Sequence, residues 1–223
     1  MSDQNHESLP PDGGEDDGGA GIAAERLIFF SDAVVAIAIT LLALNLPQVH
    51  GHSNPTVLLS MRSNTDVYLP FLISFVVIAA HWRSHHRLFQ NVNQLDSRLI
   101  TINMVWLLMI IITPYATRVL SGGEGSEGFA VRFSFYAVIQ VLTMVTYVLM
   151  LRHIRSGGLL RPGTPSPADD ELSLLGVAAA FAISIPIAFI PSVGEWSFAV
   201  WVASVFIVRA RRRARSHSPA SRG

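Results

Sequence analysis

Six stretches of the chain are almost wholly apolar: 27–47, 67–90, 99–120, 129–151, 172–191 and 194–209. A helix that crosses the ~30 Å hydrocarbon core of a bilayer needs about 20 such residues. Each stretch is therefore expected to be a membrane-spanning helix, the last a short one. Only PSVGE separates the fifth from the sixth, which predicts a tight antiparallel hairpin. Trp196 and Trp201 suit an interfacial belt near the start of the sixth. The Gly- and Pro-rich run 155–171 reads as a loop dividing a four-helix front from a two-helix back. No internal repeat long enough to mark two fused halves is present. The expected fold class is an all-α integral membrane domain of six transmembrane helices over 23–209.

Composition supports this reading. Of 223 residues, 50% are hydrophobic and 14% charged, with a formal net charge of zero. Soluble domains carry about 25% charged residues. The charges are unevenly placed. Acids crowd the stretch up to Asp17, so residues 1–22 are expected to be a disordered acidic tail. That stretch lacks the basic n-region of a secretory signal, and the first apolar stretch is expected to be a retained helix. Arginines crowd the run from Arg209 onward, making 210–223 a basic tail. It is a topology anchor on the plainer view and an anionic-lipid contact on the sharper one. A nucleic-acid role does not fit beside six spans. The chain has no lysine and no cysteine, which excludes disulfides, thiolate metal sites and cysteine nucleophiles.

Arginine placement predicts orientation. With the N-terminus inside, the inner side receives Arg26, Arg83, Arg87, Arg98, Arg152, Arg155, Arg161 and the tail. The outer side receives Arg62, Arg118 and Arg132. The positive-inside rule then puts both termini in the cytoplasm, and the protein is expected as a multi-pass component of the cell membrane.

The first helix carries an exception to its own pattern. In ERLIFFSDAVVAIAITLLALNLP an aspartate, Asp32, lies one turn inside, at a cost of about 2.5–3.5 kcal/mol even on lenient scales. At 100° per residue, Val35, Ile39 and Ala43 share its face, while Ile37, Leu41 and Leu44 form a roughly opposite aliphatic line with Thr40 on its flank. Intramembrane charges normally have partners. Depth along antiparallel helices points to Arg26, Ser31, Trp82, His85 or His86, and Asn103 as those partners. His81 and His85 have the i, i+4 spacing of two metal ligands on one helix face. No third ligand lies near them, so no metal site or cofactor is expected. Their plainer role is structural hydrogen bonding, their sharper one proton sensing. The aliphatic line by itself reads most simply as lipid contact or packing.

These residues carry a family resemblance. Arg26, Phe30, Ser31 and Asp32 form the R-x-x-x-F-S-D pattern that resembles the first-helix signature of the transmembrane protein 175 family of potassium channels. Trp82-Arg-Ser-His85-His86-Arg-Leu-Phe89, Asn103 and Pro114 are similar to the same family, and the likeness spans about 24–209. The resemblance implies a single-repeat prokaryotic type that assembles as a homotetramer in the lipid bilayer. Helix one of four subunits would line a central pore for K+ ions. It implies a constriction at Ile37, Leu41 and Leu44, with Thr40 beside it contributing to selectivity. Arg26, Phe30, Ser31 and Asp32 would hold helices together. Selectivity for K+ over Na+ would be modest, since no carbonyl filter sequence is present.

Two other classes compete. A proton-leak channel or proton-coupled transporter would use Asp32 and the helix-two histidines, but the broken helices and inverted repeat of many transporters are missing. A membrane enzyme would need a converging nucleophile, base or metal, and none is expected.

Overall fold

The computed structural model describes residues 15–122, 128–161, 163 and 168–190. Within them lie helices α1 (Glu15–Ala43), α2 (Asn54–Ser63), α3 (Thr65–Phe89), α4 (Ser97–Ser121), α5 (Phe129–Ser156) and α6 (Ala168–Ala188). Among the described residues there is no strand, and one isolated bridge pairs Val92 with Leu160. Among the described residues, four helices are long and apolar enough to cross a membrane: α1 from Gly21, α3, α4 and α5. The expected sixth span, 194–209, lies outside the described residues, as does the basic tail.

Two boundaries differ from the sequence expectation. The first helix begins at Glu15 rather than at 27, so it includes part of the stretch expected to be a disordered tail. With the apolar stretch of α1 starting at Gly21, Asp32 stands about three turns along it. The second difference is α2, which hydropathy alone does not reveal because none of its ten residues is buried. Its cause is local. Ser53 takes the N-cap position, its carbonyl accepts the Val57 N–H at 3.0 Å, and its own N–H donates to Thr56 Oγ1 at 3.1 Å. Pro55 sits in the first turn, where its missing N–H costs nothing. Gly51 makes the turn before it, at φ 154°, where a Cβ would meet the Val57 nitrogen at 2.6 Å.

Packing places α5 at the centre and α1 at the edge. Over the most apolar window, 56% of α5 is buried but only 22% of α1. α1 rests on α3 and α4, while α5 packs between α4 and α6. One apolar cluster joins Val35, Ala38 and Leu42 of α1 to Ile78 and Phe89 of α3, Trp106 and Ile110 of α4, and Met150 and Ile154 of α5. A second joins the far halves of α4, α5 and α6 through Ala116, Phe133, Tyr136 and Phe181. Pro70, Pro114 and Pro186 lie inside helices. Membrane helices tolerate this where neighbours satisfy the freed backbone groups.

The end of the bundle where α3 runs into α4 is stapled to the end of α5. Asn93 N–H donates to the Leu159 carbonyl at 2.8 Å and Arg161 N–H to the Asn91 carbonyl at 2.9 Å. Asp96 caps α4 by accepting the Leu99 N–H at 2.6 Å, and its other oxygen meets His153 Nε2 at 2.7 Å.

The Leu99 hydrogen bond, followed by His153 and Arg98, holds the Asp96 carboxyl below its ordinary value of 3.8. A carboxyl depressed in the folded state contributes stability above its unfolded value and loses it as pH falls through the folded value. Asp96→Asn is therefore expected to lower the thermal midpoint in detergent at neutral pH and to flatten its decline below pH 3.8. Parallel melts of both proteins across the acid range check this.

Candidate functional site: a polar lock behind an aliphatic face

Ser31 and Asp32 point into the bundle from α1, and α3 and α4 meet them. Asp32 uses both carboxylate oxygens. Trp82 Nε1 donates to Oδ1 at 2.8 Å. His86 Nδ1 lies 3.2 Å from Oδ2, an ion-pair distance whose angle falls outside a hydrogen bond. Gln90 Nε2 stands 2.9 Å from His86 Nε2. The amide donor there leaves the ring proton on Nδ1, facing the carboxylate. Trp82 and His86 also stack loosely, with ring centroids 5.5 Å apart.

Next to this pair runs a second, fully buried chain. His85 Nε2 meets Asn103 Oδ1 at 2.7 Å, and Asn103 Nδ2 donates to Ser31 Oγ at 3.1 Å. His85 is clamped between the rings of Trp106 at 4.2 Å and Phe89 at 4.4 Å. Ser31, His85 and Asn103 are all without exposed surface. Burial without partners would be costly for each. The pairing of the three is what allows α1 to seat against α3 and α4.

Six of the residues singled out from sequence thus meet: Ser31, Asp32, Trp82, His85, His86 and Asn103. Arg26 and Phe30 do not join them. Both are exposed, and Arg26 makes no hydrogen bond or ion pair with any described residue. Trp106, Phe89 and Gln90 complete the site and were not anticipated. A sequence signal existed for Gln90, four residues after His86 on one helix face. Stacking by Trp106 has none.

The opposite side of α1 is bare. Its buried stripe is Ser31, Val35, Ala38 and Leu42, turned by about one residue from the expected Asp32, Val35, Ile39 and Ala43. Ile37 is 59% exposed, Leu41 39% and Leu44 79%. Leu44 lies just past the helix, in the turn closed by Asn45 N–H to the Leu42 carbonyl at 3.1 Å. Thr40 is exposed beside the line, its hydroxyl donating to the Ile37 carbonyl at 2.7 Å. Among the described residues, no group of three or more potential metal ligands gathers anywhere.

The chain is similar to known proteins. Residues 26–114 match the family model described as the endosomal/lysosomal potassium channel TMEM175. A potassium channel of Streptomyces collinus is 28% identical over 145 residues, covering 64% of this chain and 70% of that one. A potassium channel of Chamaesiphon minutus is 32% identical over 130 residues, covering 57% of this chain and 64% of that one. The crystal structure of a lysosomal potassium-selective channel TMEM175 homolog from Chamaesiphon minutus aligns with a TM-score of 0.70 at 24% identity. That alignment covers 85% of this chain and 98% of that one, and it shows the shared fold.

The two halves of the lock should differ in cost. Asn103→Leu strips both His85 Nε2 and Ser31 Oγ of partners in a buried position, which is expected to cost about 1–3 kcal/mol. Trp82→Phe removes one donor from a carboxylate that keeps some solvent contact and should cost less. Unfolding of the purified protein in detergent ranks them. The reverse order would move the centre of the lock from Asn103 to Asp32.

Proposed function

We propose that the chain is a potassium-permeable cation channel of the transmembrane protein 175 family, in which α1 lines the pore. It is a multi-pass membrane protein, and its bare aliphatic line is the observation that carries the reading. Ile37, Leu41 and Leu44 face away from the subunit's own core while Ser31 and Asp32 anchor the other side of the same helix. One such helix cannot enclose a passage. Four copies around an axis, each presenting this line, would form a ring of branched side chains narrow enough to exclude water.

Such a ring conducts when it wets. A dry aliphatic constriction opposes a hydrated ion, and a small widening that admits water lowers the barrier. No carbonyl cage replaces the ion's hydration shell, so preference for K+ over Na+ is modest. Thr40 contributes a hydroxyl oxygen on the flank of the line. Asp32 has the role of a structural lock, since Trp82 and His86 occupy its two oxygens. That occupancy weighs against a proton-coupled carrier built on Asp32 and the helix-two histidines. The arginines at the lock end of the bundle favour a cytoplasmic placement for that end, with both termini inside and the cell membrane as the location.

The direct test is current across a bilayer holding the purified protein, potassium on one side and sodium on the other. The native chain should pass a passive current whose reversal potential is displaced toward potassium. Ile37→Asn should raise the conductance severalfold and narrow the preference, because a polar ring wets more readily. An identical current in both proteins would remove α1 from the pore. The absence of cysteine makes assembly testable too. Leu44→Cys is expected to give disulfide-linked oligomers under mild oxidation, whereas Cys placed at lipid-facing Leu72 should not.

A further inference from the structure

The interior of the subunit holds polar atoms that the lock does not use. His81 Nε2, His85 Nδ1, Trp106 Nε1 and both side-chain polar atoms of Gln140 are buried without a hydrogen-bond partner. His85, Trp106 and Gln140 have no exposed surface, and His81 is 7% exposed. These atoms are neighbours. Gln140 of α5 comes within reach of His81 of α3 without the alignment of a hydrogen bond. His81 and His85 lie on one face of α3, about 6 Å apart along its axis. Trp106 of α4 stacks on His85 at 4.2 Å. The residues that carry the unpartnered groups therefore share the seam where α3, α4 and α5 meet.

Such a cluster has a high cost in a dry core. Each unmet buried polar group costs about 1–3 kcal/mol. Five of the buried side-chain atoms without a partner among the described residues belong to four residues that lie close together. The seam has satisfied groups directly above and below. On the far side, Thr117 Oγ1, Ser74 Oγ and Tyr136 Oη stand in a chain at 2.7 and 3.1 Å. On the near side, His85 Nε2 meets Asn103. Ser74 and His81 share a face of α3, as Tyr136 and Gln140 share a face of α5, so the seam occupies the gap between two completed networks.

We propose that this seam is an internal water site of one or two molecules, held by His81, Gln140, His85 and Trp106. Water is the ligand class that the donor set fits. Trp106 offers only a donor, Gln140 a donor and an acceptor, and His85 Nδ1 an acceptor once Nε2 donates to Asn103. A water molecule satisfies all three kinds of group and characteristically makes about three such bonds. A cation does not fit. No carboxylate joins the cluster, the Asp32 oxygens are taken by Trp82 and His86, and no cluster of three metal-ligating side chains exists among the described residues. The site is separate from the aliphatic face of α1, with the bulk of α3 and α4 between them.

Hydroxyl-radical footprinting by X-ray radiolysis in 18O-labelled water tests this on the full chain in nanodiscs. Radicals formed from an internal water label the side chains that hold it, even where bulk solvent has no access. His81, His85 and Trp106 should label at least severalfold above Phe133, which is equally buried in an apolar cluster. Gln140→Leu should reduce the His81 signal severalfold and leave Trp82, at the exposed edge of the lock, unchanged. Labelling of all three at the Phe133 level in the native chain would overturn the proposal and mean that His81 and Gln140 pair directly. Labelling that Gln140→Leu leaves intact would overturn the assignment of Gln140 to the site. The native-chain measurement stands on its own should the variant fail to fold.

Discussion

The rotation of α1 about its own axis is set by where Ser31 and Asp32 must go. A carboxylate in an apolar helix needs polar partners, and α3 supplies them as the Trp82 Nε1 donor and the His86 ring. The neighbouring Ser31 adds a second, stricter constraint. It is completely buried and satisfied through Asn103, itself tied to His85. Two adjacent residues with separate partners on two different helices leave no freedom to turn. An apolar contact surface alone would tolerate rotation by one residue at little cost, since aliphatic packing is non-directional.

Everything on the far side of α1 follows from that rotation. Once Ser31, Val35, Ala38 and Leu42 face α3 and α4, helical geometry puts Ile37 and Leu41 outward, with Leu44 continuing their line in the turn beyond. The polar network thus acts on a surface that it never touches. This reverses the usual polarity of a soluble domain: the interior of the subunit carries the hydrogen bonds, and the proposed conducting face carries branched hydrocarbon. In a bilayer both halves are economical. Polar groups are cheapest where other polar groups enclose them, and apolar side chains carry no penalty whether they meet lipid or a second subunit.

Much of this was legible from the residues. Apolar length located α1, α3, α4, α5 and α6, and antiparallel depth brought Trp82, His85 or His86, and Asn103 to the level of Asp32 without choosing between the two histidines. The failures have identifiable causes. The one-residue offset of the buried stripe arises because Ser31, the smaller and more deeply buried partner, governs the seat of the helix while Asp32 stays at its edge. Arg26 was assigned to the network on charge, but it lies almost two turns from Asp32 on α1 and reaches none of it. The α2 helix depends on the Ser53 cap and Pro55, signals that hydropathy ignores. Stacking of Trp106 on His85 depends on the crossing of α3 and α4, which no single helix records.

The distances also rank how firmly α1 is held along its length. At the lock, its contacts run from 2.8 to 3.2 Å and link two other helices through charged or fully buried groups. At its other end the polar tether is Asn45, whose amide reaches the Leu41 and Pro114 carbonyls only at 3.4 and 3.5 Å, the outer limit of a hydrogen bond. Between them lie Val35, Ala38 and Leu42, whose apolar contacts resist separation but permit sliding. Displacing α1 therefore costs most near Ser31 and Asp32 and least near Leu44. A helix fixed at one end and loosely tied at the other moves as a lever, so small adjustments at the lock are magnified along the line of Ile37, Leu41 and Leu44. The barrier of a dry constriction depends steeply on its width, so in the proposed channel a shift of these side chains, which lie toward the loosely tied end of the helix, would have a large effect on wetting.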